Sequence, residues 1–249
     1  MVFNDDFYLK YVHEKMTVLR GLYSLFDARV IYSAVRDIKP KKILDLGTRE
    51  GRTTSSIIQA LARNNNSPID YYVFEKDNNY RRNIIKYLAD FCDVINVHAY
   101  SNVIDESALK DIGELDLLFI DAFHDHLLPK WYIKTLFPKV KKGGLIHIHD
   151  IYYNKNGNKW DDVGFNAIDL NCDDWSSVKR LKEIYGEDFF NEYYDLKNPR
   201  TNEEDVIKNF IVSNNIEFFS THEEISIKGI IDVPSGAAPV SCSLYFKKD

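Results

Sequence analysis

Long apolar runs are missing from this chain, and none approaches the roughly 20 residues that a membrane-spanning helix needs. Cysteine at metal-binding spacing is missing too. The 3 cysteines, Cys92, Cys172 and Cys242, are odd in number and widely scattered, which points to reduced thiols rather than a zinc site or a disulfide framework. Positive charge is not in excess. Against 38 Asp and Glu stand 32 Lys and Arg, a net charge of −6, which favours neither nucleic acid nor an anionic membrane as partner. The opening Met1-Val2-Phe3-Asn4-Asp5-Asp6 is acidic and lacks the basic-then-apolar order of a secretory signal, so a cytoplasmic location is expected. Repeats and low-complexity segments are absent. What is present builds a core: 45% hydrophobic and 14% aromatic residues over 249 positions suit one large α/β domain, or a core domain with a substantial insertion.

Hydrophobic periodicity divides the chain. Before Pro40 it is helical, with one stripe through Tyr11, Val12, Met16, Leu19, Leu22, Tyr23 and Phe26. A second stripe runs through Val30, Ile31, Ala34, Val35 and Ile38, with Asp27 as its expected N-cap and Pro40 as its stop. From 41 to 150, apolar strands at 42–46, 70–75, 94–99, 115–121 and 145–150 alternate with helical stretches at 53–63, 79–91, 107–112 and 126–140. Such alternation predicts a doubly wound α/β fold: a parallel sheet covered on both faces, with ligands at the strand C-termini. Residues 154–215 are polar and aromatic, with Trp160, Trp175, Phe189, Phe190, Tyr193 and Tyr194, and read as an insertion over those C-termini. Strands at 216–219, 225–231 and 241–247 are expected after it, with a turn at Pro234-Ser235-Gly236.

Four segments carry chemistry. The first is Lys42-Ile43-Leu44-Asp45-Leu46-Gly47-Thr48-Arg49-Glu50-Gly51-Arg52-Thr53-Thr54, a strand, a glycine turn and a helix start. Gly47 permits the tight turn, Gly51 allows close backbone approach, and the helix near Thr53 aims free N–H groups at a ligand. Thr53 stands where the dinucleotide fingerprint has its third glycine, which sets this turn apart from that motif. In the second segment, Tyr71-Tyr72-Val73-Phe74-Glu75, a carboxylate ends the next strand, where it can accept both hydroxyls of a ribose. The third is Asp116-Leu117-Leu118-Phe119-Ile120-Asp121-Ala122-Phe123-His124-Asp125-His126, and the fourth Lys142-Gly143-Gly144-Leu145-Ile146-His147-Ile148-His149-Asp150. If their strands are neighbours, Asp121, His124, His149 and Asp150 converge to share a cation or to move a proton. His147, deeper in its strand, is read as a packed core histidine.

Together these segments resemble the class I S-adenosylmethionine-dependent methyltransferases. The likeness covers about residues 41–150 and the strand Ser243-Leu244-Tyr245-Phe246. Asp45-Leu46-Gly47-Thr48 with Gly51 and Thr53, Ile120-Asp121-Ala122-Phe123-His124, and Gly143-Gly144-Leu145-Ile146 with His149-Asp150 most resemble the macrocin-type sugar O-methyltransferase group. The resemblance implies a Rossmann-like, seven-stranded, mostly parallel sheet with helices on both faces and an antiparallel C-terminal strand. Residues 1–40 would then be N-terminal helices, and 41–249 the methyltransferase domain with the helical and aromatic insertion at about 154–215.

The same resemblance assigns roles. Asp45, Gly47, Thr48, Arg49, Gly51 and Thr53 would hold the methionine part of S-adenosyl-L-methionine, Glu75 its ribose, and Tyr100 and Ser101 its adenine. Asp121 would adjoin the donor and serve catalysis with His124 as general base. A divalent cation, Mg²⁺ or Mn²⁺, would be held by Asp121, His149 and Asp150. His149 departs from the group's pattern, because a neutral imidazole replaces a carboxylate and lowers the charge that favours a hard ion. The implied activity is O-methylation of a saccharide, a nucleotide sugar or a similar polyhydroxylated small molecule. The aromatic insertion would close over the acceptor, and a homo-oligomer is compatible with the sequence. Two rivals stand beside it: a metal-dependent hydrolase built on Asp121, His124, His126, His147, His149 and Asp150, and a non-catalytic cofactor-binding partner protein.

Overall fold

The computed structural model describes residues 10–11, 14, 25–64, 68–91, 93–101, 106–122, 125–149, 151, 178–194, 203–220 and 243–248. The first helix, α1 (Leu25–Ile38), buries Val30, Ile31, Ala34 and Val35 as its stripe predicts. Asp27 stands inside the first turn rather than at the cap, where a carboxylate still complements the helix dipole. Lys39 turns the chain into the left-handed region at φ 49°, and Pro40 follows.

From there strands and helices alternate: β1 (Lys42–Leu46), α2 (Arg52–Asn64), β2 (Ile69–Phe74), α3 (Asn78–Ala89), β3 (Ile95–Tyr100), α4 (Glu106–Lys110), β4 (Leu115–Ile120), α5 (Leu127–Thr135) and β5 (Val140–Ile148). Then come α6 (Val178–Tyr185), α7 (Glu187–Tyr193), α8 (Glu203–Ser213), β6 (Phe218–Ser220) and β7 (Leu244–Lys247). The sheet has seven strands in the order β3-β2-β1-β4-β5-β7-β6. β1 to β5 pair in parallel, and β7 runs antiparallel to both β5 and β6. The expected Rossmann-like architecture is therefore present, and the strand order reverses between β1 and β4. Side chains alternate between two apolar cores, Leu44, Leu46, Phe74, Leu118 and Ile120 on one face and Ile43, Val73, Leu117 and Phe119 on the other.

Several boundaries differ from the periodic reading for local reasons. The single helix expected at 126–140 stops at Thr135 and continues as a 3₁₀ turn over Phe137–Lys139, because Pro138 has no N–H to extend an α-helix. The strand expected at 145–150 begins earlier, at Val140, and bulges on the way: Leu115 pairs with Val140 but Leu117 with Leu145. Expected strands at 216–219 and 241–247 shorten to β6 and β7, while 225–231 lies outside the described residues.

The described part of the 154–215 stretch is helical and belongs to the core. Leu181, Tyr185, Phe190, Tyr193, Ile207 and Ile211 join the same buried cluster as Leu127, Trp131 and Tyr132 of α5. Polar clips follow the same contact: Lys130 Nζ donates to the Tyr193 carbonyl at 3.0 Å, and Tyr132 OH to Glu203 Oε1 at 2.9 Å. Trp160 and Trp175 lie outside the described residues. Among the described residues no helix is long and apolar enough to cross a membrane.

Candidate active site

Five strand ends meet at one level. In register, Leu46 faces Phe74 on one side and Ile120 on the other, Ile120 faces Ile148, and Phe74 faces Tyr100. The residues one step beyond, Ser101, Glu75, Gly47, Asp121 and His149, therefore form a row across the C-terminal edge. Backbone bonds extend the ladder into that row: Glu75 N donates to Tyr100 O at 3.1 Å, Gly47 N to Phe74 O at 2.8 Å, Asp121 N to Leu46 O at 2.8 Å and His149 N to Ile120 O at 2.9 Å. The row crosses the β1–β4 switch point, where open α/β sheets bind ligands.

Gly47 is required by close approach as well as by conformation. Its φ is 86°, and a Cβ there would sit 1.9 Å from the carbonyl oxygen of Asp121. The turn then closes with Gly51 N on Thr48 O at 2.8 Å, and α2 starts at Arg52 with Thr53 and Thr54 buried. Glu75 is gripped by this turn: its Oε2 accepts from the backbone N–H of Thr48 at 3.0 Å and of Arg49 at 2.9 Å. Its Oε1 accepts from Asp77 N at 2.7 Å, and a carboxylate oxygen has lone-pair capacity for more than one donor.

Asp45 is fully buried. Its Oδ2 accepts from Tyr71 OH at 2.6 Å and Thr54 Oγ1 at 2.8 Å, while its Oδ1 has no hydrogen-bond partner among the described residues. Burial raises its carboxyl to about 7; the two hydroxyls pull the other way, and the charges of Asp121 and Glu75 add to the rise. A buried carboxylate with an unused oxygen beside a glycine turn fits a cationic ligand group.

On the other side of the switch point, His149 Nδ1 stands 3.3 Å from Asp121 Oδ1, with both side chains largely buried. These two expected metal ligands are thus neighbours. His124 and Asp150 lie outside the described residues, and among the described residues no group of three or more His, Cys, Asp or Glu is placed to hold a metal ion. His147 is a core residue, stacked on Tyr245 at 4.1 Å and edge-on to Phe119, and burial holds its imidazole well below its ordinary value. His126 is buried too, its ring 5.5 Å from that of Tyr194. Tyr100 stacks on Phe74 at 4.7 Å and Ser101 is exposed beside it.

Sequence reasoning missed three supports. Thr54 and Tyr71 hold Asp45, and Asp125 caps α5 by accepting from Leu127 N at 2.7 Å and Leu128 N at 3.0 Å. Tyr185 OH donates to the other oxygen of Asp125, which ties α6 to the start of α5. The cap had a signal, since Asp125 precedes an apolar pair and Pro129, as helix starts do.

Comparison with known proteins agrees with this geometry. Residues 44–151 match a methyltransferase domain. The matched stretch runs from β1 to just past β5 and so contains the whole row of strand ends. No curated protein matches the chain. Among solved structures, a provisionally assigned caffeoyl-CoA O-methyltransferase from Staphylococcus aureus superposes with a TM-score of 0.54 at 14% identity, covering 92% of this chain and 86% of that one. The O-methyltransferase from Bacillus cereus in complex with SAH gives 0.52 at 16% identity, over 92% and 84%. A provisionally assigned O-methyltransferase from Klebsiella pneumoniae gives 0.52 at 16%, over 92% and 83%. At these identities the likeness is one of fold alone.

Proposed function

We propose that this chain uses S-adenosylmethionine to methylate a hydroxyl of a saccharide, a nucleotide sugar or another polyhydroxylated small molecule. The observation that carries the donor is the row of Glu75, Gly47 and Asp121 at the switch point, inside the segment that matches a methyltransferase domain. The turn from Gly47 to Gly51 with Asp45 and Thr53 receives the methionine part, Glu75 the ribose, and Tyr100 and Ser101 the adenine. The solved Bacillus cereus O-methyltransferase in complex with SAH supports that choice of donor.

S-adenosylmethionine, when bound, would supply a methyl group on its sulfonium, with the sulfur keeping the S–C bonding pair as the acceptor oxygen takes the methyl. The acceptor hydroxyl loses its proton to His124, and Asp121 orients the reacting groups. A divalent ion bound by Asp121, His149 and Asp150 would stabilise the alkoxide, and the imidazole among those donors suits Mn²⁺ better than Mg²⁺. The hydrolase alternative loses ground, because His126 and His147 are packed into the core rather than turned to a shared ion.

Calorimetric titration with S-adenosylmethionine and S-adenosylhomocysteine, with and without Mn²⁺ or chelator, tests the donor, and a screen of nucleotide-sugar and glycan acceptors tests the transfer. Micromolar donor binding and methylated product are expected. His124→Ala is expected to bind the donor normally and to lose turnover by about 10²-fold or more. No affinity for either nucleoside overturns the reading; donor binding without transfer to any acceptor leaves the non-catalytic alternative in its place.

A further inference from the structure

Among the described residues, three non-glycine side chains sit in the left-handed backbone region: Lys39 at φ 49°, Arg49 at φ 44° and Asn215 at φ 50°. Two of them have an ordinary cause. Lys39 follows α1 directly and its N–H returns to Val35 O at 3.0 Å, while Asn215 follows α8 and its N–H returns to Val212 O at 3.3 Å. Both end a helix, where this conformation is routine. Arg49 ends nothing. It lies between Gly47 at φ 86° and Gly51 at φ 80°, in a turn whose neighbours use glycine for the same conformation.

The backbone shape at Arg49 is explained by Glu75. The successive N–H groups of Thr48 and Arg49 form a small nest that closes on one carboxylate oxygen. That explains the dihedral angle and leaves the side chain unexplained. Glycine would adopt the same shape without the strain that a Cβ brings, so an arginine there calls for work by its guanidinium.

Charge suggests what that work is. Asp45, Glu75 and Asp121 lie close enough around the turn for the charges of the latter two to raise the carboxyl of Asp45. Glu50, the next residue, adds a fourth carboxyl and accepts from Tyr80 OH at 3.3 Å. The methionine part of the proposed donor has a sulfonium and an ammonium, which suit those carboxylates, and one carboxylate, which does not. Arg49 is exposed on the same turn. Its planar, always charged fork matches a carboxylate with two parallel bonds.

We infer that Arg49 binds the α-carboxylate of the donor's methionine part and thereby distinguishes the full donor from its decarboxylated form. This deepens the donor reading above and rests on it. The test compares S-adenosylmethionine with decarboxylated S-adenosylmethionine, which keeps the adenosyl, sulfonium and amine but lacks the carboxylate. Each is titrated calorimetrically into the wild-type chain and into Arg49→Gly, with melting temperatures recorded alongside. Glycine removes the guanidinium and relieves the backbone, so a lowered melting temperature is not expected.

Loss of one charge-assisted pair is expected to weaken S-adenosylmethionine binding by about tenfold in Arg49→Gly, with the decarboxylated donor changed by less than about twofold. A general disturbance of the turn would weaken both donors alike, and that outcome overturns the inference. So does unchanged affinity for both. If the wild-type chain binds neither compound, the donor reading itself falls and takes this inference with it, so the two failures are distinguishable.

Discussion

Asp45 is the residue whose environment departs furthest from that of a surface carboxylate. Its carboxyl is raised from 3.8 to about 7 by burial, so across that window the folded chain keeps a proton that the unfolded chain has released. The contribution of Asp45 to stability therefore falls as pH rises from about 4 to about 7, the reverse of the usual salt-bridged aspartate. Replacing Asp45 with Asn keeps an acceptor for Tyr71 and Thr54 and removes the titration. The stability of Asp45→Asn relative to wild type should grow by at most about 1.4 kcal/mol per pH unit through that window and level off above it. Urea denaturation at several pH values measures this, and a pH-independent difference would refute it. Gly47 makes a second expectation at this scale. In Gly47→Ala the new Cβ would meet the Asp121 carbonyl at 1.9 Å with φ already at 86°, so the turn and the end of β4 must move apart. A loss of roughly 2–4 kcal/mol is expected by the same denaturation, along with weakened donor binding.

At the scale of elements, the strands were legible because near-continuous apolar runs bounded by charged residues leave few alternatives in a chain of this composition. Glu75, Asp121 and His149 were placed correctly as residues at strand ends, since register follows once parallel neighbours are assumed. What was not legible depended on contacts between distant segments. Periodicity could not show that β5 bulges at Gly143, because the bulge is defined only against β4. Nor could it show that Tyr185 would reach Asp125, 60 positions away in sequence. That contact gives Asp125 two jobs: one oxygen caps α5, and the other receives the phenol of α6. Burial and the neighbouring Asp125 hold the phenol of Tyr185 well above its ordinary value, so it stays a proton donor at neutral pH. Asp125→Ala removes both contacts and should cost about 1–3 kcal/mol, whereas Tyr185→Phe removes one and should cost about 0.5–1.5 kcal/mol. Equal losses in the two variants, measured by thermal or urea unfolding, would mean that the cap contributes nothing.

At the scale of the whole molecule, the sheet is two binding halves joined at the switch point. β1 and β2 bring Asp45, Gly47 and Glu75 to one side of it, while β4 and β5 bring Asp121 and His149 to the other. The second half depends on a strand that arrives last. β7 lies between β5 and β6, with Leu244, Tyr245 and Phe246 at most 2% exposed, and Tyr245 forms the stacking partner of His147. Without β7, one side of β5 loses its ladder and β6 loses its only described strand partner. Removing residues 243–249 would delete three large buried apolar side chains, each worth roughly 1.5–3 kcal/mol, and would break two strand pairings. That sum is comparable with the roughly 5–15 kcal/mol that holds a domain folded. The truncated chain is therefore expected to lose its cooperative thermal transition by circular dichroism, and with it the binding of S-adenosylmethionine proposed above. A truncated chain that melts cooperatively near the wild-type temperature would show that β1 to β5 fold as an independent unit and that the antiparallel strands are an appendage.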